Sequence, residues 1–449
     1  MNDVTLVQFQ YGQTVSLGAA YLAYGLEEAD IHFELKLFRV DAFFRYGRNI
    51  DFLYSFLSNS KGIIALGCFS DMLPYALAAL KKIKQKFPKK IIILGGVGPT
   101  NVAEEILGAF DFIDFIIKGC GVSSLPKLIK KIRAKEKDYN DIPGLRSGDK
   151  HTGGNSDENL LPETPKVPAY HRMKILKAGN RFLIRTGLGC PYQCTFCYAL
   201  PAAGRKVAYR DICEVIEEIK LIKEINNGRE FILRIIDEAF VVNRKRVLEF
   251  CDLLKRNKLN ISWICYGRTD RMDEELLRRM SLAGCKEVYY GVESGSNRIL
   301  KKIKKGFTIE EALKIALLSK KYIPGVTASF IYRYPFERLS DFIDTLTALR
   351  YLQFKEINTQ LHPLVPVKNS EIYLTYGDSL RFSKKEPCDY LSGQPIGFMP
   401  GECIELVKNN FRVFYDYGYY SCEELNKIND LIMNNRKKIF FNYVRSSWQ

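Results

Sequence analysis

Apolar, strand-like runs alternate with helix-period stretches along most of this chain, and that alternation constrains the fold more than any other feature. In the second half, R-F-L-I-R (181–185), F-I-L-R-I-I-D (231–237), I-S-W-I-C-Y-G (261–267), E-V-Y-Y-G-V-E (287–293), V-T-A-S-F-I-Y (326–332) and E-I-N-T-Q-L (356–361) read as strands. Helical patterns lie between them at 211–225, 243–256, 273–283, 308–320 and 339–353. Six such units over 181–370 predict an α/β fold with a partial (β/α)6 TIM barrel, where chemistry gathers at the carboxyl ends of strands. The first half alternates too. Strands are expected at 4–9, near 33–37, at 62–67, within I-I-I-L-G-G-V-G-P-T (91–100) and at 112–118, with helices at 17–28, 72–87 and 101–107. This predicts a doubly wound, Rossmann-like parallel sheet over 1–136, with any ligand outside the strand ends at Gln10, Ser70, Gly95 and Gly96. Polar, glycine- and proline-rich 137–180 reads as a linker, and Tyr- and Phe-rich 371–449 as a small, mainly helical C-terminal region.

The totals narrow the class. At 449 residues and 47% apolar, the chain has room for two or three cores. No apolar run reaches membrane-spanning length, and the N-terminus lacks a basic stretch leading into an apolar one, so a cytoplasmic location is expected. Twelve scattered cysteines fit a reducing compartment with a metal site better than a disulfide framework. The net charge of +16 sits largely in lysine-rich helical stretches and reads as solvated helix faces. Nothing resembles a nucleic-acid-binding module.

Three cysteines are close together. Residues 186–198 read T-G-L-G-C-P-Y-Q-C-T-F-C-Y, placing Cys190, Cys194 and Cys197 on one loop after the first strand of the second half. Thiolates select iron–sulfur clusters, zinc or copper(I). Structural zinc wants four protein ligands, whereas a 4Fe–4S cluster held by three cysteines keeps one iron open to a small molecule. A structural zinc loop or three free thiols are the plainer alternatives.

The C-x3-C-x2-C spacing, with aromatic Phe196 before the last cysteine, resembles the signature of radical S-adenosylmethionine enzymes. The resemblance implies a 4Fe–4S cluster on Cys190, Cys194 and Cys197, with S-adenosylmethionine chelated at the open iron. It also implies an external one-electron reductant such as flavodoxin or ferredoxin, and cleavage to a 5′-deoxyadenosyl radical that takes hydrogen from substrate. Asp237 and Glu238, in I-I-D-E-A-F, resemble the acidic stretch that meets the ammonium group, although either could cap a helix. Arg268 stands where the family often has an arginine that could pair with the methionine carboxylate; an ordinary salt bridge is the alternative. Glu293 and Ser294, in G-V-E-S-G-S, match the family's segment near the nucleoside. The fifth strand departs from pattern: F-I-Y-R-Y-P-F-E has Arg333 and Phe336 where glycines are usual, so Tyr332, Arg333 and Tyr334 are expected to recognise substrate. His362, after the sixth strand, is placed to move a proton; packing or solvation is the alternative.

The first half resembles the cobalamin-binding domain that precedes many such cores, through G-I-I-A-L-G-C-F-S, I-I-I-L-G-G-V-G-P-T and D-F-I-D-F-I-I-K-G. It lacks the D-x-H-x-x-G that supplies a histidine to cobalt elsewhere, and it reads Gly119-Cys120-Gly121-Val122 where relatives have two acids. The resemblance implies a cobalamin-dependent methyltransferase acting at an unactivated carbon of a natural-product or peptide substrate. The rivals are a non-methylating radical enzyme and a non-catalytic iron–sulfur sensor or scaffold.

Overall fold

The computed structural model describes residues 4–12, 14, 16–45, 47–148, 152–153, 168–170, 181–197, 207–382 and 399–440. His151, His171 and most of the expected linker lie outside them. The chain forms two compact units: Met1–Asn180 with Phe382–Tyr417, and Arg181–Arg381 with Gly418–Gln449.

The first unit is built on six strands: β1 (Val4–Gln10), β2 (Phe33–Arg39), β3 (Ile63–Gly67), β4 (Ile91–Gly95), β5 (Phe115–Ile117) and β6 (Leu145–Ser147). Their order is β2-β1-β3-β4-β5-β6, parallel except for the last. Strand order reverses between β1 and β3, the position where doubly wound sheets leave a crevice. Both β1 and β3 are buried along their whole length, as a strand covered on two faces requires. The covering helices include α1 (Leu17–Glu28), α2 (Leu73–Lys86) and α3 (Ser124–Ala134). Pro74 starts α2 where its missing N–H costs nothing, and Lys84 in its last turn pairs with Asp114 at 2.7 Å.

Two features here differ from the sequence expectation. The strand expected over 112–118 is only Phe115–Ile117, and the segment read as linker supplies β6, antiparallel to β5. Gly144 makes that turn: its φ is +69°, and a Cβ there would sit 2.5 Å from the Lys118 carbonyl oxygen. The region 371–449 is shared out. Helix Gly401–Asn409 packs on α2, with Lys82 and Glu402 3.3 Å apart, whereas Tyr419–Tyr420 pairs with Leu380–Arg381 in the second unit.

The second unit carries β7 (Arg181–Ile184), β8 (Ile232–Ile235), β9 (Ser262–Gly267), β10 (Cys285–Glu293), β11 (Gly325–Tyr332) and β12 (Asn358–Pro363). All are parallel and hydrogen-bonded in sequence order, an open run of six β/α repeats. The intervening helices are α4 (Ile212–Ile225), α5 (Arg244–Arg256), α6 (Glu274–Leu282), α7 (Ile309–Tyr322) and α8 (Leu339–Phe354); α9 (Glu423–Phe440) comes after the last strand. Their starts are capped by side chains, including Asp211 on Cys213 N, Asp273 on Leu276 N, and a Thr308–Glu311 capping box.

Side chains alternate across the strands. Trp263, Cys265, Val288, Tyr290, Ala328 and Phe330 are buried on one face. There Trp263 packs edge-on against Phe240 and Phe250. Tyr332 belongs to that face too: its ring lies 5.6 Å from Phe342 of α8. This corrects its placement as a substrate contact, because strand parity turns it into the helix layer. The opposite face carries Tyr266, Tyr289, Ser329, Gln360 and His362, which share one parity on β9 to β12; Tyr266 pairs with Tyr289, and Ser329 with Gln360.

Candidate active site

The cysteine loop leaves the end of β7 and is tied to segments beyond the carboxyl ends of later strands. Thr186 donates its N–H to Asp237 Oδ1 at 2.7 Å and its hydroxyl to Oδ2 at 2.5 Å. Gly189, at φ +94°, donates to Glu238 Oε2 at 3.2 Å. Thr195 N–H donates to the Ile303 carbonyl, and the Thr195 carbonyl accepts from Ile372 N–H at 3.0 Å. The ring of Phe196 meets that of Tyr334 at 6.2 Å. Arg268, after β9, stands 3.5 Å over the Tyr192 ring and points Nη1 at Cys194 Sγ, 3.9 Å away. The loop is therefore held at the carboxyl end of the sheet, where a barrel-type array places its chemistry.

Among the described residues, no three His, Cys, Asp or Glu side chains converge on a single ion. A cuboidal cluster does not require it, since each thiolate binds a different iron. The donor set fits such a cluster: three cysteines without a disulfide, spaced along one loop. Burial pushes the Cys190 thiol up, so metal binding there has to displace a proton.

The acids divide by role. Asp237 is almost fully buried, which pushes its pKa up to about 6 against the hydrogen bonds from Thr186 and Gly187 that lower it. Both its oxygens are engaged by Thr186, so it braces the loop rather than facing a ligand. Glu238 has one oxygen on Gly189 N–H and the other 3.8 Å from Arg185. Glu293 takes φ +76° and lies 3.4 Å from the buried ammonium of Lys305. The hydroxyl of Ser294 is used inside the fold, against Thr345 Oγ1 at 3.1 Å and Ser296 N–H at 3.1 Å.

On the fifth strand, Arg333 is 2% exposed at φ +72°, which excludes a surface position. Its guanidinium lies 4.6 Å over the Tyr419 ring, and its N–H donates to Glu337. Burial pushes Glu337 up to about 8, and Tyr334 is fully buried with no hydroxyl partner among the described residues. His362 Nε2 lies 3.1 Å from Gln360 Oε1, which also accepts from the Tyr289 hydroxyl at 2.7 Å. Burial lowers His362 to about 4, so its ring is uncharged at neutral pH, well below the range that suits a proton carrier. The Tyr289–Gln360–His362 chain was not anticipated. Its only trace in the sequence is polar residues at matching parity on strands that turn out to be near one another.

At the carboxyl edge of the first sheet, Gln10 is buried, donates Nε2–H to the Thr14 carbonyl at 3.1 Å, and has no partner for Oε1 among the described residues. Ser70 opens a short turn of helix, braced by the Tyr417 hydroxyl on the Asp71 carbonyl at 2.8 Å. Gly95 accepts from Cys68 N–H, and Gly96 takes φ +90° with space for a Cβ closed by the Cys68 carbonyl at 2.8 Å. Phe69 and Val97 stand exposed beside these glycines, 45% and 48%. At the Gly119–Val122 departure, the Val122 carbonyl packs on Gly25 of α1, leaving no room there for a Cβ.

The model of the Radical SAM superfamily matches residues 184–349. An uncharacterised methyltransferase of Pyrococcus horikoshii is 27% identical over 274 residues, 59% of this chain and 58% of that one, so the match spans less than two thirds of the relative. Among solved structures, the radical S-adenosylmethionine methyltransferase TsrM from Kitasatospora setae, with tryptophan and a cofactor analogue bound, superposes at TM-score 0.71, 15% identity, over 97% of this chain and 88% of that one. The cobalamin-dependent S-adenosylmethionine radical enzyme OxsB, with aqua-cobalamin and S-adenosylmethionine bound, superposes at 0.65 and 18% identity, over 97% and 67%. The shared architecture is α/β with parallel sheets. No helix among the described residues is long and apolar enough to cross a membrane. With three cysteines on the loop that opens the matched segment, the chain carries a radical SAM domain over residues 184–349.

Proposed function

We propose that this chain is a cobalamin-dependent radical S-adenosylmethionine enzyme that methylates an unactivated carbon of a natural-product or peptide substrate. The observation that carries the reading is the cysteine loop, tied by Thr186, Gly189, Thr195 and Arg268 to residues beyond the later strands of its sheet. Cys190, Cys194 and Cys197 would hold the 4Fe–4S cluster, which supplies the electron that cleaves S-adenosylmethionine. An external one-electron donor such as flavodoxin or ferredoxin would recharge it. Phe196, Glu238 and Glu293 are the residues of this end that would meet the sulfonium cofactor; Asp237 and Ser294 act behind them, through the loop and the turn.

The first unit supports a corrin by shape. Gly95 and Gly96 leave backbone at the end of β4 without side chains, Phe69 and Val97 offer apolar surface, and Gln10 keeps a buried acceptor at the end of β1. The described histidine of this unit, His32, precedes β2 at the other edge, so cobalt would bind here without it. Bound there, cobalamin would supply the methyl carrier.

The test is anaerobic reconstitution of the full chain with iron, sulfide and cobalamin. About four irons per chain, a corrin spectrum retained through gel filtration, and a product heavier by one methyl group are expected. A chain that takes up no iron overturns the radical reading. Cleavage of S-adenosylmethionine with no gain in product mass would instead favour a non-methylating reaction.

A further inference from the structure

Arg268 is fixed on every side. Nε and Nη2 donate to the two Asp270 oxygens at 2.9 and 3.2 Å, Nη2 also meets the Lys305 carbonyl, and the planar group lies 3.5 Å from the centre of the Tyr192 ring and 5.4 Å from that of Phe307. The methionine carboxylate expected from sequence would need this fork, and Asp270 already holds it. The remaining nitrogen, Nη1, points at Cys194 Sγ from 3.9 Å, and both residues are only 9% exposed.

We propose that Arg268 is a positioning residue that donates a hydrogen bond to the Cys194 thiolate and sets the reduction potential of the metal group the loop holds. The inference rests on the reading of that loop as a 4Fe–4S site. Reduction adds one negative charge to a cluster, and potentials depend on net charge nearby and on hydrogen bonds to sulfur. A buried cation beside one thiolate stabilises the reduced state and raises the potential. Asp270 opposes it, partly cancelling the cation through the same two hydrogen bonds. Removing the cation and removing its counter-charge therefore push in opposite directions, which loss of packing alone would not do.

The experiment is a redox titration monitored by electron paramagnetic resonance on the reconstituted full chain, with iron content measured alongside. R268Q should lower the midpoint by about 59 mV or more, a tenfold fall in the ratio of reduced to oxidised cluster at fixed potential for one electron. D270N, which leaves the arginine in place, should raise it. Midpoints equal to wild type at equal iron content, or a shift of both variants in one direction, overturn the proposal. If R268Q fails to take up iron, D270N alone decides: a rise supports the proposal and no change overturns it. A wild-type chain that binds no iron overturns the functional reading and this inference with it, and iron content separates that failure from an unchanged midpoint.

Discussion

Asp237 and Thr186, 51 positions apart in the chain, form a two-pronged clamp in which one carboxylate accepts both the backbone N–H and the hydroxyl of the other residue. The clamp fixes where the cysteine loop departs from β7. Asp237→Ala removes both acceptors and leaves buried donors unmet. It should cost about 1–3 kcal/mol, read as a lower urea midpoint of the apo chain, and should reduce iron retained after desalting. Asp237→Asn keeps one acceptor and should lose less.

Glu337 makes stability fall as the solution becomes more alkaline. Unfolded, its carboxyl ionises near 4.5; folded, burial holds the proton to about 8. Between those values the folded state binds more protons, so stability declines as pH rises through the window. Glu337→Gln removes that term while its carbonyl can still accept from Arg333 N–H. The variant should match wild type near pH 4 and exceed it by on the order of 4 kcal/mol above pH 8, checked by denaturant melts at both pH values.

His362 works in the other direction. Unfolded it protonates near 6.5, whereas folded it resists to about 4. In that range the unfolded state binds more protons, so stability falls as pH drops from 6.5 to 4, by about 3 kcal/mol at the lower end. His362→Gln should flatten this slope and leave stability above pH 7 little changed, in thermal melts across the range.

Gly96→Ala tests the carboxyl edge of the first sheet. The backbone there is at φ +90°, and an added Cβ would meet the Cys68 carbonyl oxygen at 2.8 Å. The substitution should cost roughly 1–3 kcal/mol in a denaturant titration and weaken corrin retention. Gly12→Ala, also at positive φ but with open space around it, should cost less.

The strands of the second unit were legible to within about two residues at each boundary, most of them because they are largely apolar runs; the sixth, E-I-N-T-Q-L, is mostly polar, and its expected span is offset from β12 by two residues at each end. The cysteine loop was legible because thiol spacing is local. What escaped was non-local. Strand β6 is three residues long, too short for a period, and exists through its pairing with β5. The Asp237 clamp and the Tyr289–Gln360–His362 chain depend on which strands end up near one another, and each residue alone looks like an ordinary polar side chain. Arg268 takes the salt bridge that the sequence offered as its alternative: its partner Asp270 sits two positions on in the same R-T-D segment and engages the fork.

Among the described residues, strand β7 lies at the margin of its sheet, paired on one side only, with β8. The loop that would carry iron therefore hangs from the outermost rung of the ladder. The other five strands of that sheet pair with one another without it, so loss of metal should fray this margin first while the interior of the sheet stays protected from solvent exchange.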